Sequence, residues 1–564
     1  MTIILTPYWS NGVQKLKMAP QPPPKPKQGL APPVLNDDIH TVRCLAQLRS
    51  KEIPLEKYIY LSALKHENPD MFYKLCLNNM AEFTPIIYTP VVGEACQKWS
   101  AIYRRPEGMY ISIKDKGKIG SVLKNWPKLD EARIAVVTDG TDYCILNIEL
   151  FDLTILILGS RILGLGDLGV NGMGISVGKL SLYVAGAGIR PHSTVPICLD
   201  FGTNTQKYLD DPLYMGLRQR RIGDEEMIEF MDEFMHEISA AFPKLLIQFE
   251  DFSTDHAFMW LERFRSKYPL FNDDIQGTGA VVLSGFINAA KLSSAASGKP
   301  LTSHRILFFG AGSAGVGVAM QLMSFFTMQG LSEKEARERI WLVDSQGLVF
   351  DARGPMAEHK KYFSRRDYAG PPIKDLLDIL EYVKPTALLG LSTISNAFHA
   401  GVIEAMAALN PRPIIFPLSN PVNLSECSFQ DAVQYTDGQV LFASGSPFPE
   451  MEWKGKMLYP GQGNNMYIFP GLGLGAILAR ATSVTDTMVE ASSLGLAESL
   501  TPDERSVDLL YPRIERIREI GAFIAKEVIR ASQNAGVDRS PDLRSMSDEE
   551  LLAFVYSKMW SPMI

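Results

Sequence analysis

Two short acidic stretches, FEDF (Glu250, Asp251) and NDDIQGT (Asp273, Asp274), carry the residues best suited to chemistry. The first follows the buried-type strand LLIQF, and the second opens a helix too apolar to be exposed. Oxygen donors in such places suit a hard divalent cation. A solvated surface pair or a helix cap would explain either stretch alone. Carboxylates delivered into apolar surroundings are paired or metal-bound, because an isolated buried charge is costly. Lys179, in GISVGKL, stands in an apolar helix start. A buried lysine with a lowered pKa can act as a base, and a snorkelling lysine is the plainer reading. Tyr88 in IIYTP reads as a core tyrosine, and Asn420 in LSNP and Asn465 in GQGNN read as turn residues.

A second constellation is RILFFGAGSAGVGVAMQL, which places Gly310, Gly312 and Gly315 in GxGxxG spacing between an apolar strand and a helix. Missing side chains there allow a tight turn and bring a pyrophosphate close to a helix N-terminus. Asp344, closing the strand IWLVD, supplies the acid expected for a ribose hydroxyl. The turn residues Gly310, Gly312, Ser313, Ala314 and Gly315, with Asp344, are the expected dinucleotide contacts. GLGDLG (Gly164, Gly166, Gly169) repeats the spacing, but NGMGISVGKL behind it holds more glycine than a helix start tolerates. That stretch reads as a loop wrapping a small ligand.

The elements that must carry these residues follow from periodicity. Residues 38–106 have apolar positions at helical spacing. MYISI, RIAVVTDG, STVPICLDFG and LLIQFEDF read as strands, with helices LSLYVAGAGI and DEEMIEFMDEFMHEISAAF among them. From Asp273 helices and strands alternate through RILFFGAG, IWLVD, ALLGLS, PIIFPLSNP and VLFASG, which predicts a parallel, doubly wound sheet. The segment 513–536 and the tail read as helical.

At 564 residues the chain is too long for a single core. Its 46% hydrophobic and 21% charged residues fit an ordinary globular protein, and a net charge of -7 argues against a nucleic-acid partner. The six scattered cysteines form no CxxC pair and read as free thiols of a reducing compartment. The best membrane candidate, Ile145–Leu158, is short and contains Glu149 and Asp152, so no membrane role is expected. The first 36 residues are Pro-rich and read as extended or disordered. Lacking arginines, they favour a cytoplasmic location over a mitochondrial one.

Long stretches carry a family resemblance: PLEKYIYL, FTPIIYTPVVGEAC, RRPEGMYISI, RILGLGDLGVNGMGISVGKLSLYVAGAGI, LIQFEDF, FNDDIQGTGAVVL, FGAGSAGVG, LSNP and GQGNNMYIFPGLGLG. In this order they resemble the malic enzymes. The resemblance implies malate, NADP or NAD, and Mn²⁺ or Mg²⁺, with pyruvate and CO₂ as products. It implies an α/β fold with a Rossmann-like doubly wound NAD(P)-binding domain, a mixed α/β substrate domain and a helical N-terminal domain at the interface of a homodimer or homotetramer. The divisions expected are 1–36, 37–106, 107–272 with 465–540 returning to it, 273–464, and a helical tail at 541–564.

Site roles follow from the same resemblance. Glu250, Asp251 and Asp274 would ligate the metal. Arg161 would grip a malate carboxylate, with Asn420 and Asn465 holding the substrate. Lys179 would take the 2-hydroxyl proton, Asp273 would hold Lys179, and Tyr88 would protonate C3. Asn420 is also expected at the cofactor. Asp344 alone suggests NAD, whereas Ser345 and Lys361 match the pattern of NADP-preferring members and favour NADP. Ser176 stands where the family usually has proline. Glu67 replaces one arginine of an activator pocket, for which Arg43 would be the other, so dicarboxylate activation is not implied.

One segment interrupts the resemblance. Without Thr141–Gly159 the ends join as VVTDGSRILGLGDLG, so TDYCILNIELFDLTILILG reads as an insertion two residues before Arg161. Closing such a loop costs little, whereas a misplacement of ~1 Å in a site can cost on the order of 10²-fold in rate. The insertion reads as translated non-coding sequence. Three outcomes stay open: an active malic enzyme, a malolactic enzyme forming lactate, and a folded member impaired in catalysis.

Overall fold

The structure, a computed structural model, describes residues 37–141, 165–420 and 422–563. Arg161, Gly164, the Pro-rich start and all of the insertion beyond Thr141 lie outside the described residues.

Six short helices run from Asp37 to Ile102. A five-stranded sheet follows, built from β1 (Met109–Ser112), β2 (Ile134–Thr138), β3 (Thr194–Asp200), β4 (Leu246–Phe249) and β5 (Leu270–Asn272). Its order is β1-β3-β2-β4-β5, and every pairing is parallel. Strands β2 and β4 are buried throughout, as strands covered on both faces must be. Ile134 and Val136 face one core, while Ala135 and Val137 face the other. Helix Asp224–Ala241 covers the second face. It buries Met227, Phe230, Met231, Phe234, Met235 and Ile238 at three- and four-residue spacing, and Asp224, Glu225 and Glu226 complement its N-terminal dipole.

The first face is covered by helix Met173–Ala187, in which every residue is buried. The sequence reading of NGMGISVGKL as a loop is therefore corrected: the helix begins inside it. Packing outweighs propensity there. A Cβ on Gly174 would lie 2.6 Å from the Cys96 sulfur, so glycine lets the helix sit directly on the helical N-terminal region. A strand was also missed. FN closes β5, and the predicted helix entrance is a single π-turn, Asp273–Gly277, before helix Thr278–Ser297.

A second sheet adds β6 (Ile306–Phe309), β7 (Ile340–Asp344), β8 (Gly347–Leu348), β9 (Ala387–Gly390), β10 (Ile414–Pro417) and β11 (Leu441–Ser444). A small hairpin, β12 (Met451–Trp453) with β13 (Lys456–Leu458), precedes β14 (Gly461–Gln462). The sheet order is β14-β11-β10-β9-β6-β7-β8, and only β8 pairs antiparallel. The strand order reverses between β6 and β9, which opens a crevice at the carboxyl ends of both. Helix Phe469–Ala479 returns to pack between the first sheet and helix Ile517–Asn534. Among the described residues the one helix long and apolar enough to cross a membrane, Asp273–Ser297, is mostly buried in the protein.

The flanks of the insertion meet. Thr141 forms an antiparallel bridge with Asp167, and the Leu168 N–H donates to the Gly140 carbonyl at 2.9 Å. Gly140 has φ +69°, and a Cβ there would lie 1.8 Å from the Gly169 carbonyl oxygen. Arg221 fastens both arms, reaching Asp139 Oδ2 at 3.3 Å and Asp167 Oδ1 at 2.9 Å. Burial opposes its charge, but Asp139 and Asp167 outweigh that and raise its pKa. Removing one partner of a buried pair leaves an uncompensated charge. Arg221→Ala is therefore expected to cost about 3–5 kcal/mol in urea unfolding. Arg221→Lys should recover little of it, since an ammonium lacks the planar fork that reaches both acids.

Candidate active site

The parallel first sheet delivers acids to one edge because its strands all end there. The register sets Val137 opposite Phe249 and Phe249 opposite Asn272, so the residues after β4 and β5 are neighbours. These are Glu250 and Asp273. The Asp273–Gly277 turn then sends two successive acids to different partners. Asp273 turns to Lys179, while Asp274 Oδ2 accepts the Asp251 N–H at 2.9 Å. Asp251 adopts φ +48°, and its carbonyl accepts the Thr138 hydroxyl at 3.2 Å.

Lys179, Glu250 and Asp273 are wholly buried. Lys179 Nζ forms a short ion pair with Asp273 and lies 2.9 Å from Glu250 Oε1. Its ammonium is 5.3 Å from the centre of the Tyr88 ring and 4.8 Å from that of Phe469. Burial disfavours the charge on Lys179. Asp273 and Glu250 overcome this and raise its pKa well above the ordinary value. The sequence expectation of a lowered lysine pKa is thus reversed here by two carboxylates in contact. Burial raises the pKa of Glu250 and of Asp273, with Lys179 opposing in both. Tyr88 is likewise raised by burial and lowered by Lys179.

Glu250 belongs to a second group. Glu250, Asp251 and Asp274 each offer a carboxylate oxygen, and the three oxygens lie within 4.8 Å of one another. Glu250, Asp251, Asp273 and Asp274 are all buried here, and three carboxylates this close together suit a divalent cation. All-oxygen donors fit Mg²⁺ or Mn²⁺.

Residues that the sequence reading missed hold this arrangement. Gln248 donates to Glu250 Oε2 at 2.8 Å, and the Tyr183 hydroxyl donates to Gln248 Oε1 at 2.6 Å. A glutamine inside an otherwise apolar strand was the available signal. Asn465 donates to the Asp273 carbonyl at 3.0 Å and to Asp273 Oδ2 at 3.2 Å. Asn420 lies farther out, where its Oδ1 accepts the Ser446 hydroxyl at 2.5 Å.

One cleft joins the carboxylates to the crevice of the second sheet. Asp274, Ala314, Leu391, Leu418, Asn420 and Asn465 all line it. Gly310 (φ +121°) follows β6, and a Cβ there would lie 2.4 Å from the Leu391 carbonyl oxygen. A Cβ on Gly315 would meet the Gly310 carbonyl at 2.1 Å, whereas one on Gly312 meets nothing within 4 Å. Ser313 starts helix Ser313–Met328. Asp344, at the end of neighbouring β7, accepts Arg353 at 2.8 and 2.6 Å and Lys360 at 2.7 Å. Lys361 pairs instead with Glu358 at 2.5 Å, and Ser345 is exposed. Burial pushes the Asp344 carboxyl up, but Arg353 and Lys360 outweigh it and hold it at about 2.

Known proteins share this sequence along nearly its whole length. A family profile described as "Malic enzyme, NAD binding domain" matches residues 275–533, and "Malic enzyme, N-terminal domain" matches 65–148 and 145–265. The NADP-dependent malic enzyme of Dictyostelium discoideum is 46% identical over 537 residues, covering 95% of this chain and 93% of that one.

The chain belongs to the malic enzyme family.

NADP-dependent malic enzyme 3 of Arabidopsis thaliana is 44% identical over 535 residues, covering 94% of this chain and 87% of the plant protein. The crystal structure of Entamoeba histolytica malic enzyme superposes with a TM-score of 0.55 at 22% identity, covering 94% and 89% of the two chains, which shows the shared fold. The N-terminal profile of the malic enzyme family breaks in two at 145–148, inside the segment read as an insertion.

Two outcomes follow from the charges. Asp274→Asn is expected to weaken Mn²⁺ binding, followed by electron paramagnetic resonance, by about tenfold or more, whereas Lys179→Met should tighten it because a neighbouring positive charge is lost. Asp344 is held below the carboxylate range, so its stabilising contribution is present above pH ~4 and lost as pH falls toward 2. Asp344→Asn should therefore destabilise the protein by about 2 kcal/mol at pH 6 in urea unfolding, and the difference should close near pH 2.

Proposed function

We propose that this chain oxidatively decarboxylates L-malate to pyruvate and CO₂ with reduction of NADP, and that the reaction depends on a divalent metal. The observation that carries the reading is the buried Lys179 between Asp273 and Glu250, where Glu250 also joins Asp251 and Asp274 in a carboxylate group and Asp274 lines the cleft that reaches the second sheet. The names of the relatives, NADP-dependent malic enzymes, point the same way.

Glu250, Asp251 and Asp274 would hold Mn²⁺ or Mg²⁺. When bound there, the cation would supply Lewis acidity toward the C2 oxygen of malate, and the dinucleotide would supply a hydride acceptor. The chain's own residues move the protons. Lys179, once it has given up a proton, takes that of the C2 hydroxyl and returns it to Tyr88, with Asp273 orienting it and Asn465 bracing Asp273. Tyr88, against Lys179 in an apolar pocket, delivers a proton to C3 after CO₂ departs. Arg161 would grip a malate carboxylate, and Asn420, on the cleft wall, would contact substrate and nicotinamide.

For the cofactor, Gly310, Gly312, Ser313, Ala314 and Gly315 would cradle the pyrophosphate. Asp344 is engaged by two cations, so the β7 end offers positive charge where a free acid would favour NAD. Arg353 and Lys360 would face the 2′-phosphate beside Ser345, with Lys361 on the same short helix as a further positive charge. The division into 37–106, 107–272 with 465–540, 273–464 and 541–564 is part of the reading. Two separate sheets and the boundary between the family profiles near 265–275 support it. A homodimer or homotetramer and a cytoplasmic location complete it. The five free cysteines among the described residues agree with a reducing compartment.

Purified chain with malate, Mn²⁺ and NADP⁺ should form NADPH and pyruvate in equal amounts. Lys179→Ala should lower kcat by about 10²–10⁴-fold. Lys360→Ala should raise KM for NADP by about tenfold, with KM for NAD nearly unchanged. A version lacking Thr141–Gly159 tests the insertion: turnover of that version alone would mean the segment abolishes activity, and no turnover by either would overturn the proposed reaction.

A further inference from the structure

Among the described residues, Glu426 is the one fully buried acid near the dinucleotide crevice that the proposed reaction does not use. It stands in the turn before helix Phe429–Tyr435, and among the described residues no cation pairs with it. Its carboxylate is filled by donors from two different loops. Ser392, two residues beyond β9, donates both its N–H and its hydroxyl to Oε1 at 2.9 Å. Ser419, two residues beyond β10, donates its hydroxyl to the same oxygen at 2.5 Å and its N–H to Oε2 at 3.4 Å. The loops are also tied to each other, because the Thr393 N–H donates to the Ser419 hydroxyl at 2.9 Å.

These are the loops that wall the cleft. Leu391 and Leu418 each immediately precede a serine bound to Glu426, and Asn420 immediately follows one. The Leu391–Ser392 peptide also packs directly on Gly310. Gly390 leaves room for the carboxylate, since a Cβ there would lie 2.4 Å from Glu426 Cδ. Burying an unpaired carboxylate is costly, and four donors offset that cost only while both loops stay in place. The arrangement also holds Thr393 at φ +58°, a conformation that needs surrounding structure to maintain it.

We infer that Glu426 is a positioning residue, which clasps the loops after β9 and β10 so that Leu391, Leu418 and Asn420 form a preset wall for the nicotinamide half of the dinucleotide and for the substrate beside it. It touches neither ligand. The inference rests on the proposed dinucleotide-dependent function and is tested separately from it by a binding measurement.

The experiment compares wild type with Glu426→Ala, Glu426→Gln and Ser419→Ala. NADPH affinity is read by fluorescence titration without malate or metal, alongside kcat, both KM values, Mn²⁺ affinity and the thermal midpoint. Glu426→Ala should weaken NADPH binding by about tenfold and lower kcat by about 10–100-fold, as a wall displaced by ~1 Å would. Mn²⁺ affinity should stay within about twofold, because its ligands stand on the other sheet. Glu426→Gln keeps the shape and one acceptor oxygen and should recover most of the NADPH affinity. Ser419→Ala, the milder change, should shift NADPH affinity in the same direction even if Glu426→Ala fails to fold. A lowered thermal midpoint with wild-type NADPH affinity and kcat would overturn the inference, as would parallel loss of Mn²⁺ and NADPH binding. Failure of wild type to bind NADPH would instead sink the proposed function.

Discussion

The site depends on one ammonium kept charged where water does not reach. Lys179 sits in a helix buried on every side, and only contact with Asp273 and Glu250 makes that charge tolerable. That requirement runs outward through the fold. The two acids must end adjacent parallel strands, so β4 and β5 must be paired in one register. The helix must be covered closely by the elements around it, which its glycines permit: Gly174 and Gly178 face the N-terminal helices, and Gly186 faces Ile517 and Pro470. Asp273 must be turned toward the lysine, which the tight turn and Asn465 accomplish.

Residues that follow strands of two separate sheets then line one cleft. At that cleft the first sheet contributes the acidic turn after β5, with Asp274, and the second contributes Leu391, Leu418 and Gly445 from the turns after β9, β10 and β11. Carboxylates gather on one side of it and apolar side chains and backbone on the other. A doubly charged metal and a pyrophosphate need those opposite surroundings, and the parallel direction of both sheets supplies them without long connecting loops.

Much of this was legible in the residues. Apolar runs located β1–β4, β6, β7 and β9–β11 but not the short β5, β8, β12, β13 and β14, and the spacing of Gly310, Gly312 and Gly315 marked the tight turn between β6 and its helix. FEDF was placed correctly at a strand end, whereas NDD was read as a helix entrance and the strand before it was missed. What failed to show depends on contacts between distant segments. The helix through Gly174 violates local propensity because the N-terminal helices press against it. Lys179 has its pKa raised, rather than lowered, because two acids far apart in sequence converge on it. Lys360 rather than Lys361 meets Asp344 because a four-residue helix faces one lysine inward and its neighbour outward. Single-sequence patterns carry periodicity well and rotation of a short element poorly. Glu426, with no motif around it, left no signal at all.

The three glycines of the dinucleotide turn answer to different masters. Gly310 and Gly315 are demanded by the protein's own backbone, which would collide with any side chain placed there. Gly312 borders open space. The chain could fold around a larger residue at that point and lose nothing of its own. On the proposed function, what glycine would preserve there is room for a bound dinucleotide, a demand set by a guest and not by the protein's own packing.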